Sequence, residues 1–476
     1  MIRIDPELTP KILAPCVERL FELSAEKIRD IDRTWDADKG APVITVGGRY
    51  ASRAWTEWTQ GFQFGSALLQ FEATGEAWFL DYARRHTLQV MPPHLSHIGV
   101  HDHGFNIIST YGNLARLIYE EKIEADQFER DLYHLALKVS GAIQAARWSR
   151  LRDGRGYIYS FNGPHSLFVD TIRSLRSLAL AHRLGQVLMA ESDERVSLLQ
   201  RLVDHALVTA QYSVYYGEGR DAYDVCGRVS HEAIFNINDG TYRCPNTQQG
   251  YSPFTTWTRG LAWIILGFAE QLEFLEVCAD QELAPLGGRE AIETAFRRAA
   301  TVTSDYYMQQ SAADGICYWD TGAPGLARLS RLGDYLNQPS DPYNDQEPVD
   351  SSAAVIAAQG FWRLGDYLAR SGRSLEPARR YRQAALTMVK TLFNEPYLSL
   401  EPHHQGHQGL ILHSVYHRPL GWDFIPPGRQ IPCGESSMWG DYHARELALA
   451  VLREIRNEPW LAFFNIGMPR DEWPRL

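Results

Sequence analysis

Two aspartates stand where the sequence could do acid-base chemistry. Asp102 lies in HDHGFN (101–106), between two histidines and directly before a helical pattern. Asp170 lies in FNGPHSLFVDTIRSL (161–175), after Leu167, Phe168 and Val169 and again before a helix. Two carboxylates at successive helix starts form the pairing that sugar hydrolysis needs, one protonated and one ionised. The apolar residues flanking Asp170 predict partial burial, which raises a carboxyl pKa and suits it to donate a proton near neutral pH. Each aspartate alone reads equally well as a helix N-cap. A His-Asp-His metal site at 101–103 is a third reading, weakened by the lack of a further ligand cluster.

A third polar group follows in SHEAIFNINDG (230–240), where His231 and Glu232 precede a strand-like run, with Gln249 shortly after. The chain then enters GYSPFTTWTRGLAWIILGFAE (250–270), a turn leading into an apolar helix with Trp257, Arg259 and Trp263 near its start. Indole faces stack on a pyranose ring and a guanidinium fork matches a carboxylate, so this entrance could hold a sugar acid. The plainer reading makes both tryptophans core and Arg259 a surface residue covering them. The last candidate is the segment from Glu401 to Tyr442, with His403, His404, His407, His413 and His417. It contains no helical HxxxH backed by carboxylates and reads as a long connection lining a cleft.

The elements that must position these residues are helices. Apolar positions recur at helical spacing from Pro6 to Asp30, from Thr56 to Thr74 with Gly75 as a cap, and from Glu76 to Val90. Further helices are predicted at 104–121, 125–147, 168–184, 190–214, 256–278, 288–310, 350–370, 374–393 and 440–456, about twelve in all. Strand-like patches are short, near 157–161, 228–235 and 315–319. Alternating helix pairs, without a linker or a self-similar repeat, predict one domain over 1–476 in which helical hairpins close into a ring rather than an open solenoid.

Composition narrows the class. The 476 residues carry a formal net charge of −11, which argues against a nucleic-acid partner. Aromatic content is 12%, with 13 Trp and 23 Tyr, and tilts the reading toward a sugar ligand. No apolar run has the length of a membrane span, and the N-terminus lacks the apolar core of a secretory signal. The six cysteines show no CxxC spacing and read as reduced thiols, which predicts a cytoplasmic protein.

Taken together, HDHGF, LFVDTIRSL, HEAIF…TQQGYSPFTTWTRGLAW, VDSSAAVIAAQGFWRLG, GLILHSVYHRP and MWGDYHARELAL resemble the unsaturated glucuronyl hydrolases, glycoside hydrolase family 88, from about residue 55 to 456. The array Gln249-x7-Trp257-x-Arg259-x3-Trp263 is the most specific part. The resemblance implies an all-α fold, an (α/α)6 barrel or six-helical-hairpin toroid with short strand-like loop segments. It also implies a substrate, an oligosaccharide ending in a 4-deoxy-4,5-unsaturated uronic acid left by a polysaccharide lyase.

In that family's reaction Asp170 would protonate C4 of the vinyl ether and then take a proton from water adding at C5, after which the hemiketal collapses and releases the sugar. Asp102 matches the second essential aspartate. His231 and Gln249 match polar substrate contacts, Arg259 a binder of the uronate region, and Trp257 and Trp263 stacking walls. Trp58, His413 and Ser414 fall at further substrate-binding positions. No metal or organic cofactor is implied, and the protein is expected as a monomer or small homo-oligomer.

The sequence departs from the family at Gln248, where many members carry histidine, and around 35–53 and 325–348, which do not match. Rival readings are an unsaturated rhamnogalacturonyl hydrolase of the same fold, a sugar epimerase or isomerase on a similar helical barrel, and a non-catalytic sugar-binding protein.

Overall fold

The computed structural model describes residues 1–53, 57–330, 334–372, 375–400 and 403–467. Thr56 and Ser374, read from the sequence as helix starts, and Glu401, read as the start of the histidine-rich segment, lie outside the described residues. So do 331–333 within the unmatched stretch 325–348.

The chain runs through α1 (Pro10–Thr34), α2 (Gln60–Thr74), α3 (Ala77–Val90), α4 (His103–Ile107), α5 (Asn113–Tyr119), α6 (Gln127–Ala146), α7 (Thr171–Ser174), α8 (Arg176–Arg183), α9 (Leu198–Tyr212), α10 (Thr258–Glu276), α11 (Arg289–Gln310), α12 (Ser351–Arg370), α13 (Leu375–Leu392) and α14 (Met438–Ile455). A π turn over Ile108–Gly112 joins α4 to α5, and α7 and α8 are separated only by Leu175. The even-numbered habit of the sequence becomes two concentric rings. The inner ring is α2, α4–α5, α7–α8, α10, α12 and α14, each packed on the next, and α14 returns onto α2 to close it. Outside it, α3 packs on α2, α6 and α9 on α8, α11 on α10, α13 on α12, and α1 on α14.

Residue type explains which helix goes where. Every residue of α10 from Thr258 to Leu275 is buried, as an inner helix with neighbours on all sides requires. The outer helix α1 buries only one stripe, including Leu13, Val17, Leu20, Ile28 and Ile31. Gly75 ends α2 in the left-handed conformation (φ 75°), as its lack of a Cβ allows. The helix expected over 190–214 begins only at Leu198, because Ser197 caps it by accepting a hydrogen bond from Gln200 N, and the polar residues before it form a short hairpin. The strand expected at 315–319 is reduced to isolated bridges, Tyr318 with Val349 and Asp320 with Trp257. Among the described residues the largest sheet is three-stranded and antiparallel: β1 (Ser166–Phe168), β2 (Glu232–Phe235) and β3 (Tyr242–Asn246), with β2 in the middle.

Inside the ring the helices are tied by charge as well as by apolar packing. Arg173 reaches Glu270 of α10 at 3.1 Å and Glu446 of α14 at 3.0 Å, and Arg363 reaches Glu273 at 2.9 Å. All of these side chains are buried. Removing one partner of such a set would leave an uncompensated charge in the interior.

The start of α4 meets α7 at backbone distance. Gly104 N donates to Ser174 Oγ at 2.8 Å, and a Cβ at position 104 would lie 2.2 Å from the Ser174 carbonyl oxygen. This contact sets the spacing of the two helix starts that carry Asp102 and Asp170. We expect Gly104→Ala to lower stability by about 1–3 kcal/mol in denaturant unfolding, as overpacking of a tight contact does, and to reduce activity beyond the loss of folded protein.

Candidate active site

A cavity of about 370 Å³ opens where the inner helices begin. Asp102 immediately precedes α4, Asp170 precedes α7 and Trp257 precedes α10, and all three line it. Neither aspartate caps its own helix with its side chain, so the N-cap reading does not account for them. An oxygen of each carboxylate and a nitrogen of His101 lie within 4.8 Å of one another. That is closer than the roughly 6.5–9.5 Å between carboxyls that leaves room for the water of an inverting glycosidase.

His101 stands between the two acids. Its Nε2 is 3.7 Å from Asp102 Oδ1 and 3.6 Å from Asp170 Oδ1, and its ring packs against Phe161 and the edge of Phe168. The other histidine of the HDH triplet turns away: His103 Nδ1 pairs with Ser140 Oγ at 2.9 Å and its Nε2 with the His97 carbonyl at 3.0 Å. The His-Asp-His site considered at 101–103 is therefore not assembled. His101, Asp102 and Asp170 together offer three donors, one fewer than a closed zinc site takes and as many as an open one.

The electrostatics of the trio reverse one expectation. Burial is the largest influence on Asp170 and raises its pKa, as the flanking apolar residues predicted. The charge and close approach of His101 outweigh it, so the carboxyl is held below its ordinary range. Burial likewise works against charge on His101, yet Asp102 and Asp170 overcome it and raise the imidazole above its ordinary value.

His231 is placed behind the cavity wall rather than on it. Its Nδ1 accepts from Gln248 N at 3.0 Å and Gln249 N at 3.3 Å, which puts the ring proton on the buried Nε2. The ring packs against Phe168 and Trp257. Burial, the largest cause, depresses its pKa to about 4, so it is a neutral donor. Glu232, its neighbour in sequence, is structural: it accepts from Asn162 Nδ2 at 2.7 Å, Asn246 Nδ2 at 2.6 Å and Gln248 Nε2 at 3.1 Å. Gln248, at which the sequence departs from the resemblance, thus braces β2 and does not line the cavity.

The aromatic array forms the walls. Trp58, Trp257 and Trp263 line the cavity, with Trp58 stacked on Trp439 at 5.0 Å and Trp263 packed on Phe105 at 4.9 Å. Trp257 and Trp263 are also core residues, as the plainer sequence reading had them. Arg259 lines the cavity too, but its terminal nitrogens are engaged by protein. Nη1 donates to Asp350 Oδ2 at 3.0 Å and to the Val415 carbonyl, and Nη2 donates to Gln249 Oε1 at 2.8 Å and the Tyr416 carbonyl at 2.7 Å. The guanidinium also lies over Trp257. A guanidinium this deeply buried must be satisfied internally. Arg259 thus pairs with the Asp350 carboxylate, turns the Gln249 amide and holds the 415–416 loop.

His413 and Ser414 do not line the cavity. His413 adopts a left-handed backbone (φ 68°), accepts from Gly434 N at 3.0 Å and packs against Tyr343 and Tyr397. Ser414 Oγ is 3.2 Å from Ser351 Oγ. Of the long histidine-rich connection, Tyr416, His417 and Trp422 reach the cavity. The sequence reading took this segment as a cleft-lining connection without singling out these three as site residues; it weighed His101 only as a metal ligand, and passed over His97, Phe161 and Asp350. The flank of Asp102 was the available signal for His101, and the helix-start pattern VDSSAAV was the signal for Asp350.

Asp350 organises this wall. It caps α12 through Oδ1, accepting from Ser352 N at 3.0 Å, while Oδ2 pairs with Arg259. We expect Asp350→Ala to cost about 3–5 kcal/mol in equilibrium unfolding, because it strands the buried Arg259 charge. In the fraction that folds, KM should rise more than kcat falls, because Gln249 loses its anchor.

No family model matches the chain. The chain is 26% identical over 428 residues to an unsaturated glucuronyl hydrolase of Bacillus sp. (strain GL1), covering 88% of this chain and 92% of that protein. It is 22% identical over 408 residues to an unsaturated chondroitin disaccharide hydrolase of Streptococcus agalactiae, covering 84% and 82%. The crystal structure of the Bacillus enzyme superposes with a TM-score of 0.65 at 21% identity over 92% of this chain and 96% of that one. An unsaturated glucuronyl hydrolase described as specific for heparin superposes at 0.68 with 18% identity over 93% and 98%. Over most of its length the chain is similar to unsaturated glucuronyl hydrolases, enzymes that hydrolyse glycosyl bonds, and it shares the α/α-barrel fold of their solved structures.

Proposed function

We propose that the cavity receives the 4-deoxy-4,5-unsaturated uronic acid at the non-reducing end of a lyase-generated oligosaccharide, and that the protein releases this sugar by hydrating its C4=C5 bond. One observation carries the reading: Asp102 and Asp170 both leave their helix starts uncapped and converge at one end of an aromatic-walled cavity. The relatives' names supply the substrate class.

In this reading the sugar ring lies among Trp58, Trp257 and Trp263, whose faces and edges suit a pyranose. Gln249, its amide oxygen turned to Arg259, offers its nitrogen to the sugar. Asp170, protonated, gives its proton to C4, and positive charge develops at C5 and the ring oxygen beside the Asp102 carboxylate. Water then bonds to C5 and returns a proton to Asp170. The resulting hemiketal opens by breaking the bond between C5 and the ring oxygen. The freed oxygen leaves C1 as a hemiacetal, which expels the attached sugar. An anionic uronate entering this dry site adds a like charge near Asp170 and raises its affinity for a proton.

Elimination across C4 and C5 erases the C4 stereocentre that separates glucuronate from galacturonate. The glucuronyl and rhamnogalacturonyl readings therefore differ in the linkage and in the sugar attached, not in the ring that reacts. Loss of the ultraviolet absorbance of the conjugated C4=C5 bond reports the reaction directly. We expect wild-type protein to bleach at least one of a panel of lyase-generated disaccharides. Asp170→Asn should slow this by about 10²–10⁴-fold, the range for removing a general acid, while remaining folded. A panel joining the unsaturated sugar to glucosamine, galactosamine, glucose and rhamnose separates the two readings by which member bleaches fastest. No bleaching of any member by the wild type would refute the proposal.

A further inference from the structure

The proton that Asp170 must deliver has an identifiable holder. His101 is 1% exposed in its side chain, and neither ring nitrogen has a hydrogen-bond partner. The polar groups nearest its Nε2 are the two acids, Asp102 at 3.7 Å and Asp170 at 3.6 Å. Asp170 Oδ1, facing it, is also buried without a hydrogen bond. A buried polar group left so normally costs stability, and such exceptions mark functional centres. The ring cannot relax toward another partner because Phe161 and Phe168 confine it.

We propose that His101 is a positioning residue that holds one proton in common with Asp102 and Asp170 and passes it to Asp170 when the anionic sugar binds. This rests on the hydration reading above. The transfer moves a proton from imidazolium Nε2 to Asp170 Oδ1, leaving neutral imidazole and carboxylic acid, and the net charge of the trio is unchanged. The two atoms must close by about 0.7 Å to reach hydrogen-bond range. After the Asp170 proton goes to C4, the proton taken from the attacking water restores the trio.

The groups facing His101 from each element fit this role. Arg147, at the end of α6, is a fixed cation that disfavours charge on His101, but its guanidinium is turned to the Tyr159 and Ser160 carbonyls. His205 of α9 accepts from Ile158 N at 3.0 Å and burial keeps it neutral, with a pKa of about 3. His231, ahead of β2, is neutral for the same reason. Two anions thus act on His101 against one cation, and its charged form is favoured. A raised His101 pKa means the trio keeps its proton as pH climbs past the ordinary histidine value of about 6.5 and loses it above.

Two measurements test this. In the pH profile of kcat for an unsaturated disaccharide, the wild type should lose activity on the alkaline side as the shared proton leaves. His101→Gln keeps the volume but cannot carry the proton. Its alkaline limb should move to lower pH by about one unit or more, with kcat near pH 7 down about tenfold or more and KM within about threefold. A uniform loss with an unmoved limb, or an effect confined to KM, would overturn the proposal. The second readout needs no substrate: in ¹⁵N-imidazole NMR, His101 of the wild type should titrate above 6.5, and its pKa should fall in Asp170→Asn. A His101 pKa at or below 6.5, or one indifferent to Asp170, overturns the proposal even if the hydration reading stands. A raised, Asp170-dependent pKa without any bleaching upholds the shared proton and rejects hydration.

Discussion

The inner ring is narrow, and the structure depends on its helices approaching almost backbone to backbone. Where successive inner helices cross, one of them presents a glycine. A Cβ at Gly61 would lie 2.3 Å from the Asn106 carbonyl oxygen, one at Gly267 2.9 Å from Arg173 N, and one at Gly360 2.8 Å from Leu266 N. Gly104 plays the same part between α4 and α7. Close crossing brings the helix starts into a small circle, and that circle is the floor on which Asp102, Asp170 and Trp257 meet. A wider ring would spread the same residues too far apart to share one sugar.

Closing the ring this tightly traps polar side chains inside it, and the chain answers with pairing. Arg173, Glu270 and Glu446 link three inner helices through the interior, while Glu72 gathers Arg116 at 2.6 Å and Lys122 at 2.8 Å near the opposite end. Buried ion pairs of this kind seldom add much net stability relative to apolar packing, but once present each partner is costly to remove. Arg259 follows the same rule at the cavity edge. Its burial obliges it to bond Asp350, Gln249 and two carbonyls, which makes it the frame of the binding wall instead of a free fork.

The same confinement shapes the acid chemistry. His231 loses its charge to burial, whereas His101, equally buried, keeps it because two carboxylates face it. The difference between these histidines lies in which charges surround them, since both are withdrawn from water. Asp170 inherits the outcome: burial alone would raise its pKa, and beside His101 its carboxyl is held below its ordinary range.

Helical periodicity along the chain was enough to determine the twelve-rung helical plan, because an amphipathic stripe repeats locally and caps such as Gly75 are written beside it. The aspartates and the tryptophan array were legible for a related reason: a carboxylate before a helix and indoles at a helix entrance are patterns of a few residues, and the family resemblance bound them together. Only tertiary structure decided what those side chains touch. It placed His101 against Asp170, 69 positions away, and so lowered a carboxyl pKa that the local apolar sequence alone would raise. It tied Arg259 to Asp350 and turned His413 and Ser414 out of the cavity. Burial and charge act through space on whatever the ring brings near, and sequence order does not encode those neighbours.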